Sequence, residues 1–170
     1  LDTDEARQVL KGLSRCEFLD DDWFWFTDLP PLRNRLENVA KRILSVASPQ
    51  PLQSVREGLR RAFRQRSLTN ARYESLEVPP QFALVRFFES HPDFRFDGQF
   101  VDCILPLDYK TVLGDTDRML VDAFRSFPSE VVDRNTLARY CLSRGMNDST
   151  FGASTTFSPV LEHVGVDLWK

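Results

Sequence analysis

Apolar positions along this chain recur at two spacings, every three to four residues and every two, and the switches between them mark out its elements. Leu36, Val39, Ala40, Ile43, Leu44 and Ala47 fall at i, i+3, i+4, i+7, i+8 and i+11, which is one apolar face of a helix over 33–47. Ser48-Pro49-Gln50-Pro51 stops it, because proline lacks the backbone donor and clashes with the preceding turn. Leu52, Val55, Leu59, Ala62 and Phe63 predict a second helix over 52–65, and the polar stretch from Ser67 to Glu77 reads as loop. Val78-Pro79-Pro80 opens a third helix through Ser90, proline being tolerated in a first turn. Phe82, Leu84, Val85, Phe87 and Phe88 make that helix nearly all apolar, so it is expected to be largely buried. Period two then takes over. Phe94-Arg95-Phe96, the turn signal Asp97-Gly98 and Phe100 to Ile104 predict a β-hairpin.

The same plan restarts after Pro106. A helix over 115–127 turns Met119, Leu120, Ala123, Phe124 and Phe127 inward; Asp133 caps a helix that runs to Arg144 and ends at Gly145; 147–157 is a third helix, and 160–169 is extended. Ahead of Arg33, a short helix over 4–15 carries Val9, Leu10 and Leu13 on one side. Two apolar runs, Cys16 to Leu19 and Trp23 to Phe26, then flank the acidic turn Asp20-Asp21-Asp22 as a second hairpin. Three helices followed by β structure, seen twice and preceded by a partial copy, form a repeat of pattern rather than of residues. The expected fold is mainly α with small β-hairpin wings (α+β), a tandem of winged helix-turn-helix units. Its expected boundaries are a partial unit over 1–32, whose front half would lie upstream of Leu1, a unit over 33–105 and another over 106–170.

Composition narrows the function. At 170 residues, 42% apolar and 28% charged, the chain has room for two small domains. No apolar run approaches the roughly 18 residues of a membrane span, and no basic-then-apolar leader is present, so no membrane partner is expected. With no initiator Met at its start, the chain reads as a piece of a larger protein. Cys16, Cys103 and Cys141 are far apart with no CxxC pair, and His91 and His163 stand alone. That spacing predicts no metal site, and free thiols suit a reducing cytoplasm. Glycine-rich phosphate loops, GxSxG and HExxH are all missing. Hence no catalytic residue, cofactor or small-molecule substrate is expected; the chain is not read as an enzyme.

The net charge of −3 is unevenly spread: −5 over 1–32, +6 over 33–78 and −4 over 79–170. The basic block contains Arg56, Arg60 and Arg64 at i, i+4 and i+8, with Arg61 beside them and Arg66 and Arg72 following. Like charges at that spacing cost about 0.2–0.5 kcal/mol per pair, which suggests a counter-surface. Guanidinium forks match phosphate oxygens. The same row would also serve as a dock for the acidic turn Asp20-Asp21-Asp22 or another protein, or simply as a solvated face.

Leu137 to Phe151 resembles a helix-turn-helix: small Cys141 lies where the helices cross, Gly145 supplies the positive φ of the turn, and Phe151 anchors the second helix. The string Arg144-Gly145-Met146-Asn147 through Ser158-Pro159-Val160-Leu161 resembles winged-helix modules of uncharacterised bacterial proteins. Those modules are themselves similar to HARE-type domains and the helix-turn-helix regions of sigma factors. Trp23-Phe24-Trp25 through Arg33-Asn34-Arg35-Leu36, with Ile43-Leu44-Ser45-Val46, is similar to the preceding module in such proteins. The resemblance implies a winged-helix fold and a DNA-related role, and carries over no catalytic residue. On this reading the chain is a DNA-binding array that docks on double-stranded DNA through Arg56, Arg60, Arg61, Arg64, Arg66 and Arg72. Asn147, Ser149, Thr150, Ser154 and Thr155 are the readers, since recognition helices present short polar side chains to base edges. Helix capping explains Asn147 and Ser149 equally well. The middle unit's third helix, with only Gln81, Arg86, Glu89 and Ser90 as polar groups, is poorly equipped to read a groove. The alternative is a protein-interaction or scaffold module with no DNA contact, whose partner is another protein or an unseen domain of the same chain.

Overall fold

Helix starts in this chain are written by short polar side chains. Asn34 caps α2 (Arg35–Val46) by accepting the Glu37 N–H, and Asp133 caps α7 (Arg134–Ser143) by accepting those of Asn135 and Thr136. The computed structural model describes residues 2–28, 34–69 and 78–170, without the side chains of 65–69. At the front lie α1 (Thr3–Lys11), β1 (Cys16–Phe18) and β2 (Phe24–Phe26). After α2 come β3 (Gln50–Pro51), α3 (Leu52–Thr69), α4 (Gln81–Ser90), β4 (Phe94–Phe96) and β5 (Phe100–Cys103). A short α5 (Tyr109–Val112) leads to α6 (Asp115–Ser126), β6 (Val132–Asp133), α7, α8 (Asp148–Phe157), β7 (His163–Gly165) and β8 (Leu168–Trp169).

The protein is thus mixed α and β, with small antiparallel sheets. Helix, strand, helix, helix, strand, strand occurs twice, from α2 to β5 and from α6 to β8. Both times the first strand lies beside the last, in the orders β3-β5-β4 and β6-β8-β7. β3 and β6 were not expected. Each spans two residues, too short to show a period of two, and each exists only because β5 or β8 pairs with it. Other boundaries shift modestly: α1 ends at Lys11, and the extended tail resolves into a hairpin turned at Asp167, φ 53°, a conformation aspartate tolerates better than most residues. Gly98 and Gly145 hold φ 98° and 92°, as their places in the β4–β5 turn and in the turn between α7 and α8 require.

Packing follows the predicted faces. Val39, Ala40, Ile43 and Leu44 of α2, Val55 and Leu59 of α3, and Leu84, Phe87 and Phe88 of α4 share one core with Phe94 and Val101. Leu120, Leu137, Cys141, Phe151 and Trp169 lie in a second. A third, smaller cluster of Tyr109, Leu113 and Val121 packs against Val46 and Val160, and so bridges the two repeats.

The front hairpin joins the first core through one face. Leu19 is buried in it, and the Trp25 ring stacks on His91 at 4.8 Å and meets Phe87 edge-on at 5.2 Å. On its other face Phe18 and Phe26 pack against Phe24, which stays exposed. His91 is itself buried: its Nδ1 accepts the Asp93 N–H at 3.2 Å, and its Nε2 lies 3.6 Å from Glu37.

Burial holds the His91 imidazole below its ordinary pKa of 6.5, against the pull of Glu37 and Asp93. The unfolded chain therefore takes that proton more readily than the folded one. The contribution to stability is complete above 6.5 and is lost as pH falls from there through the folded value. Denaturant unfolding at about pH 7.5 and about pH 5 will show lower stability at the acid point, and His91→Gln will flatten that difference. An unchanged difference in the variant contradicts this assignment.

Candidate nucleic-acid interface

Residues along an α-helix advance about 100° each, so Arg56, Arg60 and Arg64 drift slowly along one flank of α3 while Arg61 points about a quarter-turn away from Arg60. The two sets meet different surroundings. Arg60 is exposed and donates to Glu57 at 2.9 Å; Arg64 is exposed; Arg56 is half-buried, and its Nε has no hydrogen-bond partner among the described residues. Arg61 turns toward the second repeat. Its Nε donates to the Ser158 carbonyl at 3.1 Å and its Nη2 to that of Pro159 at 3.5 Å. Burial lowers its pKa, opposed by Glu57 and Glu162, yet a guanidinium stays charged. A cation on the carbonyls at a helix C-terminus completes bonds the helix leaves unmade. In the structure Arg61 fastens the end of α8. The Arg66 side chain and Arg72 lie outside the described residues.

Why α8 comes so close is written at Gly58. A Cβ there would stand 2.6 Å from Cδ1 of Ile43 and 2.8 Å from the Pro159 carbonyl oxygen, distances that force something to move. The clue in the sequence was a lone glycine inside a helix with no turn beside it. A second fastening joins α2 to α6: Arg42 pairs with Asp117, whose other oxygen accepts the Ser158 hydroxyl at 2.8 Å.

These contacts redefine the expected reading helix. Asn147 caps α8, accepting the Thr150 N–H at 2.8 Å and the Ser149 hydroxyl at 2.7 Å. Both side chains are exposed, with Asp148 between them. Thr150 and Ser154 line a polar cleft beside Asn38, Arg42 and Asp117. Thr155 cannot be a reader. It is buried, its hydroxyl donates to the Phe151 carbonyl at 3.0 Å, and its own carbonyl accepts Nε1 of Trp169 at 3.2 Å. The two expected surfaces, on α3 and α8, are brought together by packing against each other.

The hairpins supply little positive charge. In β7–β8, Val164, Val166 and Leu168 are exposed, Val166 at 90%, beside exposed Asp167. Arg95, Asp97 and Gln99 are exposed on β4–β5, and Gln81, Phe82, Arg86 and Glu89 on α4. The acidic turn is held by its own backbone and by α1. Asp20 accepts the N–H groups of Asp22 and Trp23, while Arg7 and Lys11 of α1 lie 3.3 and 3.6 Å from Asp22 and Asp21.

Glu37, His91 and Asp93, read as unrelated in the sequence, converge so that one ligand atom from each lies within 4.8 Å of the others. Their geometry suits a cation, and Lys41 provides one: its ammonium donates to Glu37 at 2.6 Å and to Asp93 at 2.5 Å. Burial pushes the Cys103 and Cys141 thiols up to about 11, so neither is a ready nucleophile at neutral pH. No helix among the described residues is long and apolar enough to cross a membrane. Comparison of the chain with protein-family models, curated proteins and solved structures finds no significant match.

In an open helix position Gly→Ala is favourable by roughly 1 kcal/mol. At Gly58 the methyl overpacks the junction, and Gly58→Ala is expected to destabilise the protein by about 1–3 kcal/mol in chemical denaturation. A variant as stable as the parent, or more so, means that α3 and the Pro159 backbone are not in close contact.

Proposed function

We propose that this chain is a tandem of winged-helix units serving as a protein-interaction scaffold rather than as a reader of DNA sequence. The unit type is supported by the twice-repeated order of helices and strands with the same sheet arrangement, together with the positive-φ Gly145 and buried Cys141 and Phe151 of the helix-turn-helix. One observation carries the functional reading. Helix α8, the element of such a unit that would enter a major groove, is packed against α3, with Thr155 buried and the Ser158 and Pro159 carbonyls just after the helix held by Arg61. A groove about 12 Å wide must take a helix on its free face, and here the free end of α8 offers Asn147, Asp148 and Ser149. The wing beside it is apolar and acidic, through Val164, Val166 and Asp167. Exposed valines at a wing tip suit the apolar centre of a protein interface.

The second reading is phosphate docking without base readout. The flank of α3 bearing Arg56, Arg60 and Arg64 favours it, because the three follow one another at four-residue spacing, with Arg60 and Arg64 exposed.

Fluorescence anisotropy against duplexes of different sequence separates these readings from a sequence reader. Binding is expected to be weak and indifferent to sequence, with a log–log salt slope no steeper than about −2.7, the value for roughly three phosphate contacts. A triple variant, Arg56→Glu, Arg60→Glu and Arg64→Glu, is expected to remove it, while Asn147→Ala with Ser149→Ala leaves it unchanged. Tight, sequence-selective binding that the α8 substitutions relax would overturn the scaffold reading.

A further inference from the structure

Of the ten large apolar side chains that the described residues expose, four lie on or beside one small sheet: Val131, Val164, Val166 and Leu168. Strand pairing brings them together. Val132 and Trp169 pair and are both buried, so Asp133 and Leu168, the next pair along, face outward. Val131 precedes Val132 and falls on the same outer side. Val164 is the unpaired residue where the register shifts between His163 and Gly165, and Val166 stands at the hairpin tip. The first repeat offers an internal comparison. On the matching face of β3-β5-β4, Arg95 lies opposite Asp102, and the tip is Asp97-Gly98-Gln99. The same arrangement of strands thus carries a polar outer face in one repeat and an apolar one in the other, and the architecture does not require the valines.

The charge around this apolar strip is mostly of one sign. Exposed Glu130, Asp133, Glu162 and Asp167 border it, against Lys170. Lys170 lies 3.7 Å from Glu130, and Glu162 pulls on Arg61 at the junction. With both of those matched, Asp133 and Asp167 still have no cation within 4.0 Å among the described residues. Arg134 turns its guanidinium over the buried rings of Phe151 and Trp169 instead. Resting on the scaffold reading, we propose that this face binds a basic amphipathic helix of a partner protein. Its apolar stripe lies on Val131, Leu168 and Val164, and its lysines or arginines face Asp133 and Asp167. A strand added to the free edge of β7 suits the site less, because the shifted register interrupts the ladder there. Nor does a second copy supply the helix: α3, the chain's own arginine-bearing helix, exposes no large apolar side chain among its described residues.

A synthetic helix of about 18 residues, leucine along one stripe and lysine elsewhere, is the probe, and amide chemical shifts of the intact chain are the readout. Saturable shifts are expected at Val131, Val164, Val166 and Leu168, with an affinity that falls as salt rises. The same peptide with glutamate in place of lysine should bind about tenfold more weakly. Val164→Thr with Val166→Ser, both at exposed positions, should weaken the lysine peptide about tenfold. Asp133→Asn with Asp167→Asn should weaken it about fivefold and flatten the salt dependence. Asparagine keeps both the helix cap and the positive φ, so that variant retains the parent spectrum. The proposal is overturned if the lysine peptide gives no saturable shifts at millimolar concentration, if its shifts lie away from this sheet, if the glutamate peptide binds as tightly, or if neither variant weakens binding. Self-association of the chain through these residues, read by sedimentation without peptide, overturns it as well. Duplex DNA is titrated alongside: DNA that moves these amides overturns the scaffold reading itself, whereas peptide shifts elsewhere overturn only the choice of this face.

Discussion

Helix α3 belongs to the first repeat but is shaped by the second, and Gly58 is where the two meet. Without a side chain there, the Ile43 methyl and the Pro159 carbonyl stand in the volume a Cβ would occupy. Close approach removes water from both surfaces, and it makes other bonds necessary. The carbonyls after α8, no longer hydrated, are satisfied by Arg61, about one turn along α3 from Gly58. On the neighbouring side Asp117 is buried at the start of α6, and an unpaired buried carboxylate would be costly. Arg42 and Ser158 both bond to it. Val46, Val121 and Val160 fill the space between with Tyr109 and Leu113. Removal of any one of these leaves the others with polar atoms that have lost their partners, so the junction behaves as a unit.

That junction decides which surfaces remain for function. It turns Thr150 and Ser154 into a cleft, while Thr155 is buried beside Trp169 of its own repeat, so the short polar side chains that resemble a recognition surface act mostly as caps and linings. It divides the arginines of α3 between a solvent flank and a structural task. It also creates the apolar cleft above Val46 and Val121, which neither repeat has alone. The surfaces left outward are the α3 flank, the valine-bearing hairpin tip and the outer aromatic face of the front hairpin. Only the first of them is basic. Among the described residues the basic segment is divided between α2, where Lys41 and Arg42 are ion-paired, and separate flanks of α3, rather than laid out as a continuous track for a polyanion.

How much of this was legible follows from the reach of each signal. The helices α2, α4, α6, α7 and α8 were written in apolar spacing or in the caps Asp133 and Asn147, because those contacts are local. Gly98 and Gly145 announced their turns for the same reason. β3 and β6 were not legible: a strand of two residues has no periodicity, and it forms only because β5 or β8 lies alongside. Arg61 and Thr155 were expected on outward surfaces, but nothing local says what covers a polar flank, and both proved to be turned toward the interior. His91 looked isolated for a similar reason. Its partners Glu37 and Trp25 come from other elements, and only the packing of α2, α4 and the front hairpin unites them.

The contact of α3 with the end of α8 holds the two repeats as one body. Residual dipolar couplings of backbone amides, measured separately for α2–α4 and for α6–α8 in one alignment medium, test it most directly. A single alignment tensor that fits both sets in the arrangement described here is the predicted result. Two tensors of different magnitude or orientation would show the repeats moving independently, and would contradict the account.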